Sequence, residues 1–208
     1  MTYLKVIVLS LIMITGFSGP SEWKLKKEES GISIYTRKIE GAQMDEFKGI
    51  VSIANTTLTD VLEIILDADN YPALFPDCSE ARILKKEGKY YDIHYIYLKS
   101  PWPVKDRDAV YESVTTISGD GKKAMVSLRP LSGYIKETED VVRMKNGNGY
   151  WELEEDNMHS VKVIYEFHPD PGGDIPSWLA NYGAVTNPFR TLINLRKRVS
   201  ERHQQAVR

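Results

Sequence analysis

Two hydrophobic periods share the chain, and each change of period predicts a change of element. Gly31 to Lys38 (GISIYTRK) alternates apolar and polar positions and leads to Gly41, so it reads as a strand. Phe47 to Ile53 (FKGIVSI) reads as a second. The period then lengthens. Val61, Leu62, Ile64, Ile65 and Leu66 recur at helical spacing behind Thr57-Leu58-Thr59-Asp60, which offers capping side chains. Asn70-Tyr71-Pro72 is expected to stop that helix. A short helical turn is expected over Leu74 to Cys78, between Pro72 and Pro76.

From residue 80 the pattern is nearly all strand, at about 81–86, 89–98, 108–118, 122–129, 139–145, 149–155 and 160–168. Turn residues separate these runs at Glu87-Gly88, Gly119-Asp120-Gly121 and Asn146-Gly147-Asn148-Gly149. The last two read as hairpin turns, where Gly and Asn supply positive φ. Consecutive hairpins make an antiparallel sheet. After His168-Pro169-Asp170-Pro171-Gly172-Gly173 the helical period returns. Asp174 is expected to cap the helix, with Pro176 in its first turn. Trp178, Tyr182, Val185, Phe189, Leu192 and Val199 form its apolar stripe. Arg196, Lys197, Arg198 and Arg202 crowd its far end, where cations complement the helix dipole. Asn187-Pro188 falls inside this stretch and is expected to kink it. The fold class is therefore α+β: a curved antiparallel β-sheet whose concave face is closed by a long C-terminal helix.

Two strands have a clear inside. Trp151 and Leu153 alternate with Glu152 and Glu154, and Val161, Val163, Tyr165 and Phe167 alternate with Lys162 and Glu166. Their apolar faces should look toward the long helix. The strands at 89–98 and 108–116 are less clean. Tyr91, Ile93, Tyr95 and Tyr97 lie on one face, and Asp92, His94 and Ile96 on the other. Either a cavity wall with a few orienting polar groups or a sheet with one wet face produces that pattern.

Composition narrows the function classes. The 208 residues suit one domain, and a formal net charge of -2 offers no basic excess for a phosphate backbone, so nucleic acid is not an expected partner. Lys5, the apolar run Val6 to Phe17, and the small residues Gly16, Ser18 and Gly19 have the layout of a secretory signal peptide. Cleavage is expected after Ser18, giving a signal peptide over 1–18 and a domain over 19–208, with a periplasmic or secreted location. The apolar run is too short for a spanning helix of roughly 20 residues. Cys78 is the sole cysteine, so no internal disulfide forms. No catalytic motif, phosphate loop or metal-ligand spacing is present, and neither a metal nor a cofactor is expected. Pro101-Trp102-Pro103-Val104-Lys105-Asp106-Arg107-Asp108 is the most specific-looking segment. Arg107 there reads either as a fork for a ligand's polar head or, as spacing favours, as the ion-pair partner of Asp106 or Asp108.

The blocks PWPVKDRDAVYES, GYWELEE, HPDPGGDIPSWLAN and PFRTLINLRKRV occur in that order and resemble the START family (steroidogenic acute regulatory protein-related lipid transfer domains), particularly its bacterial exported members. The resemblance covers about residues 22–200. It implies a helix-grip fold, a lipid- or sterol-sized internal cavity between sheet and helix, and binding without chemistry, so not an enzyme. It also implies that His94, Arg107 and Tyr111 supply polar contacts to the ligand. Trp151 and Tyr165 belong to the apolar wall, and Trp178, Tyr182, Val185 and Phe189 form the lid. Ser113 stands where some lipid-transfer relatives carry an arginine and His94 where they carry an acid, so the ion pair of those relatives is absent. Related folds include polyketide cyclases and aromatases, which makes such an enzyme, using His94, Arg107 and Tyr111, the first alternative. A ligand-free interaction module with a filled cavity is the second. The expected partners are a lipid or other hydrophobic ligand and a transient membrane contact at the basic helix end. A monomer is expected.

Overall fold

The computed structural model describes residues 21–206; the apolar leader lies outside them. Among the described residues ten strands form one sheet: β1 (Lys24–Glu29), β2 (Ile32–Arg37), β3 (Glu46–Ala54), β4 (Cys78–Lys86), β5 (Tyr91–Leu98), β6 (Arg107–Ile117), β7 (Lys123–Pro130), β8 (Val142–Arg143), β9 (Gly147–Glu155) and β10 (Ser160–Pro169). The order is β1-β2-β3-β10-β9-β7-β6-β5-β4, antiparallel throughout, with the short β8 running parallel to β6. The first hairpins and the last one meet at β3–β10, where Val51 faces Val163.

β1 is invisible to a hydrophobic scan. Its sequence is KLKKEE and its residues are almost all exposed. Backbone pairing with β2 holds it, and its charges blunt an open sheet edge. The hairpin expected at residues 146–149 does not form. Residues 139–145 supply only the two-residue β8, and Gly147 already begins β9, which pairs with β7 and β10 instead.

Helix α1 (Leu58–Ile65) starts where its caps predict. The Thr57 hydroxyl accepts from Asp60 N at 3.2 Å, and the Asp60 carboxylate accepts from Thr57 N at 3.3 Å. The following turn lies earlier than expected. Helix α2 is Tyr71–Leu74, with Pro72 in its first turn, and Cys78 already opens β4. A proline there gives up only an amide that has no partner in a first turn, so it starts a helix rather than stopping one.

The C-terminal helix comes in three parts. Helix α3 (Ser177–Asn181) has Pro176 at its N-cap position, so Asp174 is not the cap. A π-helical turn follows over Tyr182–Thr186, and helix α4 (Asn187–Ala206) completes the element. In that turn Asn187 N–H bonds Tyr182 O, five residues back. Pro188 has no amide to give to the preceding turn, so the interruption expected at the proline appears as a widened turn just before it.

Helix α4 closes the sheet where β3 is thinnest. Leu192 is fully buried, and a Cβ at Gly49 would stand 2.7 Å from its Cδ1, so glycine lets the leucine approach without a shift. Leu195 and Val199 extend the contact, and each such side chain contributes roughly 1.5–3 kcal/mol on burial. Trp151 and Leu153 of β9 and Val161, Val163 and Tyr165 of β10 form the sheet side of this core, as their alternation predicts.

Candidate ligand cavity

A cavity of about 560 Å³ lies between the sheet and the C-terminal helix. Its sheet wall comes from β5 and β6 (His94, Ile96, Leu98, Tyr111) and β10 (Tyr165, Phe167). Tyr71 and Phe75 close one end, and Trp178, Leu179, Tyr182 and Gly183 form the lid. Phe167 reaches the cavity because its ring lies against Gly149, where a Cβ would overlap both that ring and Glu166 O. The aromatic rings brace one another. Tyr165 stacks on Trp151 at 3.9 Å, and Tyr71 meets the His94 ring edge-on at 5.2 Å.

Of the residues expected to touch ligand, the structure brings His94, Tyr111, Tyr165, Trp178 and Tyr182 together around this space. Four others do not line it. Trp151 is buried behind Tyr165. Phe189 is core, with Lys27 Nζ 4.2 Å over its ring, and Val185 packs half-buried against the same core. Val185 and Phe189 continue the stripe of Trp178 and Tyr182, but the lid is made by α3 and the first residues of the π turn, Tyr182 and Gly183. Arg107 is buried and turned away. It donates to Ser100 Oγ at 3.3 Å, to Pro171 O at 3.5 Å and to Lys105 O. It pairs with neither neighbouring carboxylate. Burial lowers its pKa, and its role is to tie the 99–106 loop to the 170–173 loop at the cavity rim.

The inner wall holds a polar pair that the sequence reading missed. His94 Nδ1 lies 2.6 Å from Asp92 Oδ1, and both side chains are buried. Asp92 faces Ser113 across the β5–β6 ladder, and His94 faces Tyr111. An ionised carboxylate only accepts, so Nδ1 is the donor when Asp92 is charged, and the His94 ring lines the cavity. An acid two residues before His94 in a strand shares its face by necessity, which is the signal that was available. Tyr111 and Tyr165 also expose hydroxyls that make no side-chain hydrogen bond among the described residues. Burial raises both phenols above the ordinary tyrosine value, so they stay protonated donors. Tyr71 differs, since its hydroxyl donates to Ile65 O at 3.0 Å. Burial also pushes the Cys78 thiol up to about 11, and its S–H points at Glu80 O at 3.3 Å.

The outer face of the same strands is finished differently. Tyr91, Tyr95 and Tyr97 donate to Glu112, Asp108 and Asp106 at 3.0, 3.2 and 2.7 Å. Asp108 in turn takes both arms of Arg143, at 2.7 and 2.9 Å, with both side chains almost wholly buried. Leu131 and Ile135 pack against Ile93, Tyr95 and Val110, so the centre of this face is buried too, while Tyr91 and Tyr97 at its ends are half-buried.

The rim is laced by short contacts. Tyr182 Oη and Asn187 Nδ2 both donate to Asp77, at 2.9 and 2.7 Å. Gln43 bonds the backbone at Gly173 and Ile175. Beside this rim Trp178 is half exposed, and Trp102, next to the lining residue Pro101, is 91% exposed.

Comparisons with known proteins agree with this architecture. A family profile described as polyketide cyclase/dehydrase and lipid transport matches residues 55–192. Protein PA1579 of Pseudomonas aeruginosa is 30% identical over 200 residues, covering 96% of this chain and 97% of that one. Human phosphatidylcholine transfer protein is 29% identical over 167 residues, covering 79% and 77%. The crystal structure of a STAR-related lipid transfer protein from Xanthomonas axonopodis superposes with a TM-score of 0.77 at 35% identity, covering 86% of this chain and 98% of that one. The helix-grip arrangement is common to both.

Proposed function

The chain belongs to the polyketide cyclase/dehydrase and lipid transport family as a START domain, and from that premise we propose that it carries a lipid in its internal cavity without altering it. The observation that carries this reading is the cavity, about 560 Å³ walled mainly by apolar and aromatic side chains. That volume sits within the roughly 300–1,000 Å³ of small-molecule sites. The names of the human and Xanthomonas relatives, both lipid transfer proteins, support carriage over catalysis. A ligand-free interaction module would have filled this space with side chains.

Exchange takes place at a membrane surface touched by the rim. Trp102 and Trp178 offer amphipathic rings, and Lys99 and Lys105 flank Trp102 in its loop. The basic cluster Arg196–Arg198 lies about 15 Å along α4 from the rim residue Asn187, and Arg196 is engaged with Ser30 O. The membrane contact therefore lies at the rim and not at the helix end. The N-terminal leader directs the protein to the periplasm or outside the cell, which fractionation of the native host would test.

The decisive experiment is native mass spectrometry of the protein from its own host, followed by extraction of whatever it holds. One unaltered lipid per chain is the expected result. A protein that comes empty, and takes up no lipid from vesicles, would overturn the carrier reading. The Asp92–His94 pair favours one second reading, a cyclase-type enzyme with His94 as general base. Recovery of a chemically changed ligand after incubation would select it.

A further inference from the structure

The dimensions of the cavity limit what kind of lipid it takes. Its wall runs along β5 and the following loop from His94 to Ser100, and along β10 and its loop from Tyr165 to Pro171. Each stretch advances six residues, so at about 3.3 Å per residue the cavity is roughly 20 Å deep. Its volume of about 560 Å³, spread over that depth, gives a mean cross-section of about 28 Å². Carbon atoms of neighbouring chains approach to about 4.0–4.5 Å, so one extended hydrocarbon chain takes about 16–20 Å² and two abreast about 32–40 Å². One chain fits and two do not. Volume alone leads to the same limit. At about 30 Å³ for a group the size of water, 560 Å³ holds about 19 such groups, which is one long chain, and the tails of a two-chain lipid need nearly twice that.

The side chains that set this width already touch one another. Phe47 meets Tyr165 edge-on at 5.0 Å, and Phe167 packs on both Phe47 and Tyr111, with centroids 6.3 and 5.9 Å away. Tyr71 and Phe75 close the floor with ring centroids 4.9 Å apart. On the lid side Met44 meets the π turn, where a Cβ at Gly183 would stand 2.5 Å from its Cε. Phe167 stands between Tyr165 and the rim residue Pro169 along β10, opposite Gly149, which has no side chain to displace its ring. It is therefore the ring that narrows the cavity between floor and mouth.

We infer that the occupant is a lipid with a single hydrocarbon chain, that two-chain lipids are excluded by width, and that Phe167 sets the limit. This rests on the carrier reading and deepens it. It sets this chain apart from the human relative named for phosphatidylcholine, a lipid of two chains. Widening the cavity for a second chain means separating rings that are packed on one another, and each such contact is lost without replacement.

The test uses the full chain and two pairs of probes that differ only in chain number: monooleoylglycerol with dioleoylglycerol, and oleoyl-lysophosphatidylcholine with dioleoylphosphatidylcholine. Native mass spectrometry counts what is bound, and dissociation constants come from tryptophan fluorescence, since Trp178 lies in the wall. The wild type should hold one molecule of a one-chain probe and bind it at least about 10-fold more tightly than its two-chain partner. Phe167→Ala should shrink that preference about 4- to 15-fold, the worth of one or two further buried methylene groups, and Tyr95→Phe on the outer face should leave it at the wild-type value. If Phe167→Ala does not fold, the wild-type pairs still decide. Equal or tighter binding of the two-chain member of either pair would overturn the inference while leaving a lipid carrier, and a preference unmoved in folded Phe167→Ala would overturn the role of that ring. A wild type that binds none of the four probes, and comes empty from its host, would overturn both the inference and the carrier reading.

Discussion

On the outer face of β5, Tyr91, Tyr95 and Tyr97 each end on a carboxylate; on the inner face, Tyr111 of β6 and Tyr165 of β10 end in open space. The two faces are separated by the thickness of one strand and bury similar side chains. Outside, the network is complete: Asp108 collects Tyr95 and both arms of Arg143, and Glu112 collects Tyr91 and Arg129. Inside, Asp92 and His94 satisfy each other and then stop. Completed networks fix a fold, and unfinished ones wait for a partner. Tyr95 outside and Tyr111 and Tyr165 inside are alike in type and burial, and what distinguishes them is their remaining hydrogen-bond capacity.

The largest test of this comparison is Arg143→Ala. It leaves Asp108 buried at the centre of the outer network with only Tyr95 as partner. Loss of one member of a buried ion pair costs about 3–5 kcal/mol, so the urea midpoint should fall far and the protein should be marginal at 37 °C. A loss below about 1 kcal/mol would mean that water reaches Asp108 and that the outer face is not closed.

Tyr95→Phe comes next, at about 1–2 kcal/mol for a hydrogen bond to a charged acceptor. It also carries a pH signature. Burial, and then the Asp108 carboxylate, push the Tyr95 phenol up to about 12. A raised folded-state pKa gives stability that is complete below the ordinary tyrosine value near 10 and is lost as pH climbs through 12, because the unfolded chain ionises first. Denaturation followed from pH 8 to 12 should show that alkaline loss in the wild type and a shallower one in Tyr95→Phe. Identical slopes would remove Tyr95 from the account.

Most of the sheet was legible because it alternates: β2, β3, β9 and β10 have one greasy face, and helix α1 carries its capping box in plain sight. β1 was not, because six mostly charged residues contribute only backbone to the sheet edge. The mixed faces of β5 and β6 read as cavity wall or wet surface, and the cavity wall is what the structure has. One face is cavity, and the centre of the other is buried beneath Leu131 and Ile135, whose loop carries no periodic signal. The same limit governed the site. Strand pattern places His94 and Tyr111 on one face, and that face includes Asp92 and Arg107 as well. Which of the four meets ligand depends on loops 99–106 and 170–173 folding back to occupy Arg107, a contact 64 residues apart in sequence. Likewise Phe189 and Val185 continue the stripe of Trp178 and Tyr182, and only the π turn at 182–186 sets where lid ends and core begins.

The smallest expected effect is the most discriminating. Tyr111→Phe and Tyr165→Phe each remove a hydroxyl with no side-chain partner among the described residues and keep the ring in its packing. With no side-chain hydrogen bond to lose, stability of the empty protein should stay within about 0.5 kcal/mol of wild type. Tyr71→Phe supplies the internal reference. It lies on the same cavity, but its hydroxyl is bonded to Ile65 O, so about 1 kcal/mol should be lost. If Tyr111→Phe or Tyr165→Phe destabilised the empty protein as much as Tyr71→Phe, their hydroxyls would be structural like those outside. The inner face would then be one more finished network, with nothing left for a ligand to complete.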